Sequence, residues 1–159
     1  MKAATPTLLG LIGVFLLALP IRIAGGHVPT PLLPLVMVFF WSIYGPNYLP
    51  AASVFAIGLL QDFLSGGPLG LWPGVYLVTQ YLVLSQRSYF LGREQRVVVM
   101  GFAFAAAGAA LILWLVMSLM SGALLPVWGL AFQMAMTIVT YPIFSAAFRR
   151  LHRRVIVEA

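Results

Sequence analysis

The hydrophobic pattern of this chain consists of long apolar segments separated by short breaks. Six of these segments predict helices that cross a membrane, a structure that takes about 20 mainly apolar residues. The predicted spans are residues 7–24, 31–44, 48–64, 69–85, 97–120 and 127–148. The second and third spans are short, so we expect local thinning of the bilayer or burial of their ends against neighbouring helices. The pattern therefore predicts an all-α polytopic membrane protein whose residues 1–159 form a single six-helix transmembrane domain.

A topology with five spans is the alternative, either by merging the second and third spans or by removing the first. The second and third spans are divided by a turn signal, Gly-Pro-Asn at residues 45–47, and a continuous helix would merge them. Lys2 followed by the apolar residues 8–19 resembles the start of a signal peptide, whose removal would delete the first span. Because residues 20–22, Pro-Ile-Arg, offer no clear cleavage site, we favour a retained first span.

Composition supports the membrane interpretation and excludes several other classes. The chain is 62% apolar and 8% charged, whereas a soluble domain carries about 25% charged residues. A soluble enzyme, a disordered protein and a nucleic-acid binder are therefore excluded, although the formal net charge is +6. The chain has no cysteine, which excludes disulfides, thiolate nucleophiles and Cys-ligated metals.

The distribution of basic residues predicts the orientation, because Lys and Arg accumulate in cytoplasmic loops. With six spans and a cytoplasmic N-terminus, only Arg22 lies outside. The other eight basic residues lie inside, and they are Lys2, Arg87, Arg93, Arg96, Arg149, Arg150, Arg153 and Arg154. Both termini are therefore predicted to be cytoplasmic.

Asp62 is the one acidic residue inside a predicted span, near the outer end of the third. A charged side chain at mid-bilayer costs about 2.5–3.5 kcal/mol, and a carboxylate at a helix C-terminus opposes the helix dipole. We predict that Asp62 is ionised and held by Arg22 together with backbone N–H groups of the Gly66–Gly67 turn. A site for a ligand, a proton or a partner is the alternative to a structural anchor, and we favour the anchor.

The segment around Asp62, residues 58–72 (GLLQDFLSGGPLGLW), is the most distinctive in the chain. Its glycines permit tight turns, and Pro68 and Trp72 suit a hairpin at the membrane interface. No Lys-Ser or Lys-Thr follows, so it is not a phosphate-binding loop. The candidate structural or partner site comprises Asp62, Arg22, Gly66, Gly67, Gly70 and Trp72.

Two further helix faces carry distinctive residues. Gly101, Ala105 and Ala109 recur at four-residue spacing in the fifth span, as small residues do where helices approach closely in lipid. They predict either a docking face for a partner's helix or internal packing, which we favour. In the sixth span, Gln133, Thr137 and residues 140–141 share one face, where they line a cavity or form interhelical hydrogen bonds.

The basic segments at the inner side are candidate contacts for cytoplasmic partners or anionic membrane lipids, beyond their role in orientation. The candidates are Arg87, Arg93, Arg96, Arg150, Arg153 and Arg154. The sequence predicts no metal site or catalytic site. His27 and His152 are predicted on opposite sides of the membrane, so they cannot share a metal ion. No group of residues supplies a nucleophile together with its base. We expect no metal, no cofactor and no enzymatic activity.

Four segments resemble the rod shape-determining protein MreD family in its proteobacterial form. They are LVMVFFW at 35–41, residues 58–72, YLVLSQR at 81–87, and Tyr-Pro at 141–142 followed by the Arg-rich tail. The resemblance runs from about residue 32 to residue 154. It implies a non-enzymatic inner-membrane component of the cell-elongation machinery that helps to maintain rod shape and direct lateral peptidoglycan synthesis. The implied partners are MreC, MreB, and RodA with its class B penicillin-binding protein.

The family is also similar, in size and helix count, to the substrate-binding subunits of energy-coupling-factor transporters. That similarity supplies the alternative function, a vitamin-binding subunit of an importer, and an intramembrane enzyme comes third. A rod-shape protein should be encoded beside other cell-shape genes, whereas an importer subunit should bind a vitamin tightly.

Overall fold

The computed structural model describes residues 31–152, together with Leu8, Ile12, residues 22–23 and residues 26–27. The first predicted span lies mostly outside these residues, although Leu8 and Ile12 are helical. Its predicted end is wrong, because β1 (Arg22–Ile23) pairs antiparallel with β2 (Gly26–His27), with Arg22 opposite His27. The Gly-Gly pair at residues 25–26 favours such a reversal over a continued helix.

The rest of the described chain is helical and forms a bundle. After α1 (Leu33–Tyr44), a 3-10 turn occupies Pro46–Tyr48. The helices that follow are α2 (Ala51–Ser65), α3 (Leu71–Ser85), α4 (Arg87–Phe90), α5 (Gln95–Ser121) and α6 (Trp128–His152).

Five of these helices coincide with predicted spans, and the differences have local causes. The turn at Pro46–Tyr48 separates α1 from α2, so the two do not merge into one helix. Helix α2 begins at Ala51 rather than residue 48 because Pro50 is extended and precedes it. The short helix α4 lies within the polar break at residues 86–96 and was not predicted.

Helix length separates the elements into two groups. Among the described residues, Gln95–Ser121 and Trp128–Ala147 are long and apolar enough to cross a membrane, with mean hydropathies of 2.3 and 1.4. Helix α1 has 12 residues and α2 has 15. At 1.5 Å per residue, α1 is about 18 Å long, against a hydrocarbon core of about 30 Å. Six membrane crossings therefore stay a prediction.

Helix α1 lies at the centre of the bundle. All its side chains from Pro34 to Ile43 are buried, and it packs against α3, α4, α5 and α6. A helix that is apolar on every side belongs in such a place. The ring of Phe39 meets those of Phe102 and Tyr141 edge-on, with centroids 5.2 and 5.7 Å away, and Phe102 stacks on Tyr141 at 4.3 Å.

Candidate functional site

The carboxylate of Asp62 joins the end of α2 to the start of α3. Its Oδ2 accepts a hydrogen bond from the backbone N–H of Gly70 at 2.6 Å, and its Oδ1 accepts one from Trp72 N–H at 3.1 Å. The residue is 1% exposed. Both carboxylate oxygens thus have a backbone donor, and hydrogen bonds of this charge-assisted kind are the stronger ones.

The carboxylate lies near the C-terminus of α2 and at the N-terminus of α3, so it interacts with the dipoles of both helices. Gly70 is the N-cap residue of α3, with φ of +95°, and Trp72 lies in the first turn. First-turn N–H groups have no partner inside their helix, and a negative charge there is stabilised by about 0.3–1 kcal/mol, or ~2 kcal/mol when partly buried. The penalty expected at the C-terminus of α2 is therefore offset by the N-terminus of α3.

The Gly66–Gly67 turn has a different role from the one predicted. Gly66 adopts the left-handed conformation with φ of +66°, and its N–H donates to the backbone oxygen of Asp62 at 3.1 Å. This turn ends α2, as a left-handed glycine commonly does. The carboxylate donors are Gly70 and Trp72 instead. The side chain of Arg22 lies outside the described residues, so its pairing with Asp62 stays a prediction.

Gly58, which is not among the predicted site residues, brings the backbones of α2 and α3 into contact. A Cβ at Gly58 would lie 2.5 Å from the backbone nitrogen of Pro73 and 2.6 Å from its Cα. No side chain fits at that distance. Gly58 and Asp62 are four residues apart and therefore share a helix face, which is the signal that could have revealed the contact.

A buried polar pair completes this interface. The hydroxyl of Tyr76 donates to Oε1 of Gln61, and both side chains are buried. The Tyr76 ring also lies 5.5 Å from that of Trp72, centroid to centroid. We call the whole set the hairpin clamp, and its members are Gly58, Gln61, Asp62, Gly70, Trp72, Pro73 and Tyr76.

The basic residues gather at the other end of α3 and do not share one environment. Arg87 Nε donates to the backbone oxygen of Ile43 at 2.7 Å, so this guanidinium caps the end of α1. Arg93 lies over the ring of Tyr89, 5.2 Å from its centroid. Arg96 and Arg150 are exposed, and Arg153 and Arg154 lie outside the described residues.

The small residues of α5 face α3 along a groove of about 460 Å³. Ala109 is buried, while Gly101 and Ala105 are half-buried, and all three line the groove. Most of the lining is apolar, and the hydroxyl of Thr79 already donates to the backbone oxygen of Val75 at 2.8 Å. A polar vitamin would therefore find few hydrogen-bonding partners here.

The polar residues of α6 form hydrogen bonds with the start of α1 and with the backbone of α6 itself. Thr137 Oγ1 accepts the N–H of Leu32 at 3.0 Å and donates to the backbone oxygen of Gln133 at 2.7 Å. Thr140 Oγ1 donates to the backbone oxygen of Met136 at 2.9 Å. These contacts favour the structural interpretation of the face. Among the described residues, no three His, Cys, Asp or Glu side chains gather where they could hold a metal ion.

Comparison with known families gives one match, and it covers nearly the whole chain. The family model described as rod shape-determining protein MreD matches residues 2–151. Neither a curated protein nor a solved structure matches the chain significantly.

Proposed function

The chain belongs to the MreD family of rod shape-determining proteins, and from that premise we propose a non-enzymatic, multi-pass component of the bacterial inner membrane. It helps to maintain rod shape and to direct lateral peptidoglycan synthesis. In this proposal it binds MreC and links it to cytoplasmic MreB and to RodA with its class B penicillin-binding protein. The family itself determines cell shape and is a membrane protein family.

The hairpin clamp is the observation that carries this proposal. Asp62 has a backbone donor on each carboxylate oxygen and is nearly fully buried, so both oxygens are engaged in joining α2 to α3. What the clamp does is hold a short loop, residues 66–70, in one conformation. A loop held in this way suits recognition by a protein partner, because little conformational entropy is lost on binding.

The side chains beside this loop fit an apolar partner. Leu69 is 66% exposed and Phe63 65% exposed, and both lie at the same end of the bundle. We assign this end to the outer face of the membrane and to the contact with MreC. The arginines lie at the opposite end of α3, which the positive-inside rule assigns to the cytoplasm. The proposed architecture has six spans with both termini cytoplasmic, similar to the substrate-binding subunits of energy-coupling-factor transporters.

The test replaces Leu69 with Ser in cells depleted of the native protein. Leu69→Ser leaves the clamp intact and removes exposed apolar surface from the loop. We expect wild-type protein to restore rods and to co-purify with MreC, and Leu69→Ser to reduce MreC recovery several-fold at an unchanged protein level. Leu124→Ser is the matched control, since Leu124 is 83% exposed in the loop between α5 and α6.

Two results would contradict the proposal. One is a rod-shaped cell that grows normally without the protein. The other is MreC recovery that is equal for wild-type, Leu69→Ser and Leu124→Ser, which would place the contact elsewhere.

A further inference from the structure

The groove between α3 and α5 has room because its floor lacks side chains. Ala105 and Gly108 of α5 contribute little or nothing beyond the backbone, and a Cβ at Gly108 would meet nothing within 4 Å, whereas at Gly101 the ring of Phe90 packs on the helix and forms part of the lining. The walls are apolar, with Leu82 on α3 and Phe104 on α5, both exposed. An exposed apolar groove of this kind in a membrane protein is in contact with acyl chains or with another helix.

The dimensions of the groove favour a chain over a helix. Its lining runs along α5 from Val97 to Ile112, which corresponds to about 22 Å at 1.5 Å per residue. The empty space of the groove, counted out to its open side, is about 1110 Å³, and spread over that length it gives a mean cross-section of at most roughly 50 Å². A helix about 11 Å across has a cross-section of roughly 95 Å². A partner helix would therefore rest on the rim of the groove, whereas an extended hydrocarbon chain fits within it.

One end of the groove is polar and positively charged. Gln86 and Tyr89 line this end, and the guanidinium of Arg93 stands over the Tyr89 ring. Arg96 is exposed in the first turn of α5. Glu94, the N-cap residue of α5, is the acidic residue among them and leaves the end with an excess of positive charge. Arg87 is engaged with the backbone of Ile43 and does not contribute here.

We propose that this groove binds an anionic phospholipid, with one acyl chain along α5 and the headgroup phosphate on Arg93 and Arg96. An apolar channel that ends at two cations is complementary to a molecule with a hydrocarbon chain joined to a negative head. Basic pockets between transmembrane helices bind anionic headgroups in this manner. The inference rests on the membrane location in the proposed function, but not on MreC or on any other protein partner.

The experiment measures lipid retention by the purified full-length protein, using native mass spectrometry after addition of phosphatidylglycerol or phosphatidylcholine. We expect wild-type protein to retain phosphatidylglycerol preferentially. Arg93→Gln and Arg96→Gln should each reduce that preference about fivefold, the ratio that corresponds to ~1 kcal/mol per basic residue at an anionic surface. Arg150→Gln is the matched control, since Arg150 is exposed on α6, a helix that contributes no residue to the groove, whereas Arg93 and Arg96 lie next to its lining residues Tyr89 and Val97.

A second variant blocks the acyl chain instead of the headgroup. Gly108→Leu fills the groove without a backbone clash, and we expect it to lose retention of both lipids, with helicity unchanged by circular dichroism. Gly74→Leu is its control, because Gly74 is exposed on α3, has open space around it and lies outside the groove.

Equal retention of the two lipids by wild-type protein would overturn the inference, as would full retention by Gly108→Leu. Loss of a co-purifying membrane protein from Gly108→Leu, with lipid retention intact, would assign the groove to a partner helix and also overturn it. Because lipid binding is measured on purified protein, its failure is distinguishable from failure of the cell-shape function, which is scored by complementation.

Discussion

Helix α3 packs against α2 and against α5 in opposite ways. Against α2, the backbone of Gly58 touches that of Pro73, and the polar groups of Asp62 and Gln61 are satisfied by α3. Against α5, the equivalent small residue Gly108 leaves open space, and a groove remains. A glycine in a membrane helix therefore permits close contact but does not produce it. The hydrogen bonds of the hairpin clamp hold α2 on α3, and among the described residues no comparable bond joins α3 to α5.

The largest loss of stability should come from adding a side chain at Gly58, where α2 and α3 are closest. Gly58→Ala places a methyl group against the backbone of Pro73, where neither helix can yield without breaking the clamp, and overpacking costs typically 1–3 kcal/mol. We expect a loss near 3 kcal/mol in the free energy of unfolding in detergent. Gly108→Ala should instead be neutral or stabilising, by up to ~1 kcal/mol from helix propensity. Equal losses for the two variants would remove the distinction between the two faces of α3.

The next largest loss of stability should come from removing the negative charge of Asp62 from the hairpin clamp. Asp62→Asn keeps the shape but replaces one acceptor oxygen with an N–H₂ group, which then faces a backbone donor. Hydrogen bonds to charged groups contribute about 1.5–3 kcal/mol, so we expect a loss of ~2 kcal/mol and reduced recovery of MreC. Glu94→Gln is the control, because Glu94 is an exposed acid that makes no side-chain cap hydrogen bond. Thermal unfolding of the three proteins measures the difference.

The same assay decides whether Arg22 contributes to holding Asp62. A double-mutant cycle combines Asp62→Asn with Arg22→Gln, and the coupling energy isolates the pair. We expect a coupling below the ~2 kcal/mol of the backbone contacts, because two N–H donors and a helix N-terminus already stabilise the carboxylate. A coupling of zero removes Arg22 from the site and leaves the hairpin clamp as the complete environment of the carboxylate.

The smallest difference in stability should distinguish a substitution at Arg87 from one at Arg96. Arg87→Gln removes the cap from the C-terminus of α1 and should cost about 1 kcal/mol in unfolding free energy. Arg96→Gln should leave stability within ~0.5 kcal/mol, since exposed substitutions rarely exceed that. The comparison is again thermal unfolding in detergent. If Arg87→Gln is as neutral as Arg96→Gln, the hydrogen bond to Ile43 does not stabilise the fold.

Sequence patterns predicted the helices more fully than the contacts between them. Apolar runs located α1, α2, α3, α5 and α6 to within a few residues, because burial in lipid or protein imposes length and apolarity on the sequence itself. Membership of the MreD family was likewise predicted and is confirmed by the match over residues 2–151. The end of the first span at residues 22–23 was wrong, since Arg22–Ile23 pairs antiparallel with Gly26–His27 instead of continuing a helix.

At the Asp62 site, the sequence identified the acid but not the groups that bind it. Asp62 was identifiable because an acid in an apolar segment needs a compensating partner. Its donors were not, because they depend on the left-handed turn at Gly66, which directs that N–H to a backbone oxygen and brings Gly70 to the carboxylate. Gly58 and Gly108 look alike in sequence, and only the separation of the helices distinguishes a contact from a gap.

The central place of α1 has a consequence for biogenesis. This helix is about 18 Å long, and it is enclosed by α3, α5 and α6, which follow it in the chain. Its first turn is held by the hydrogen bond from Leu32 N–H to Thr137 on the last helix. A nascent chain that has emerged only through α3 therefore contains α1 without α5 and α6, two of the helices that enclose it. We expect α1 to reach its buried position only after α6 has been synthesised, because α5 and α6 complete its enclosure and Thr137 supplies the acceptor for Leu32 N–H.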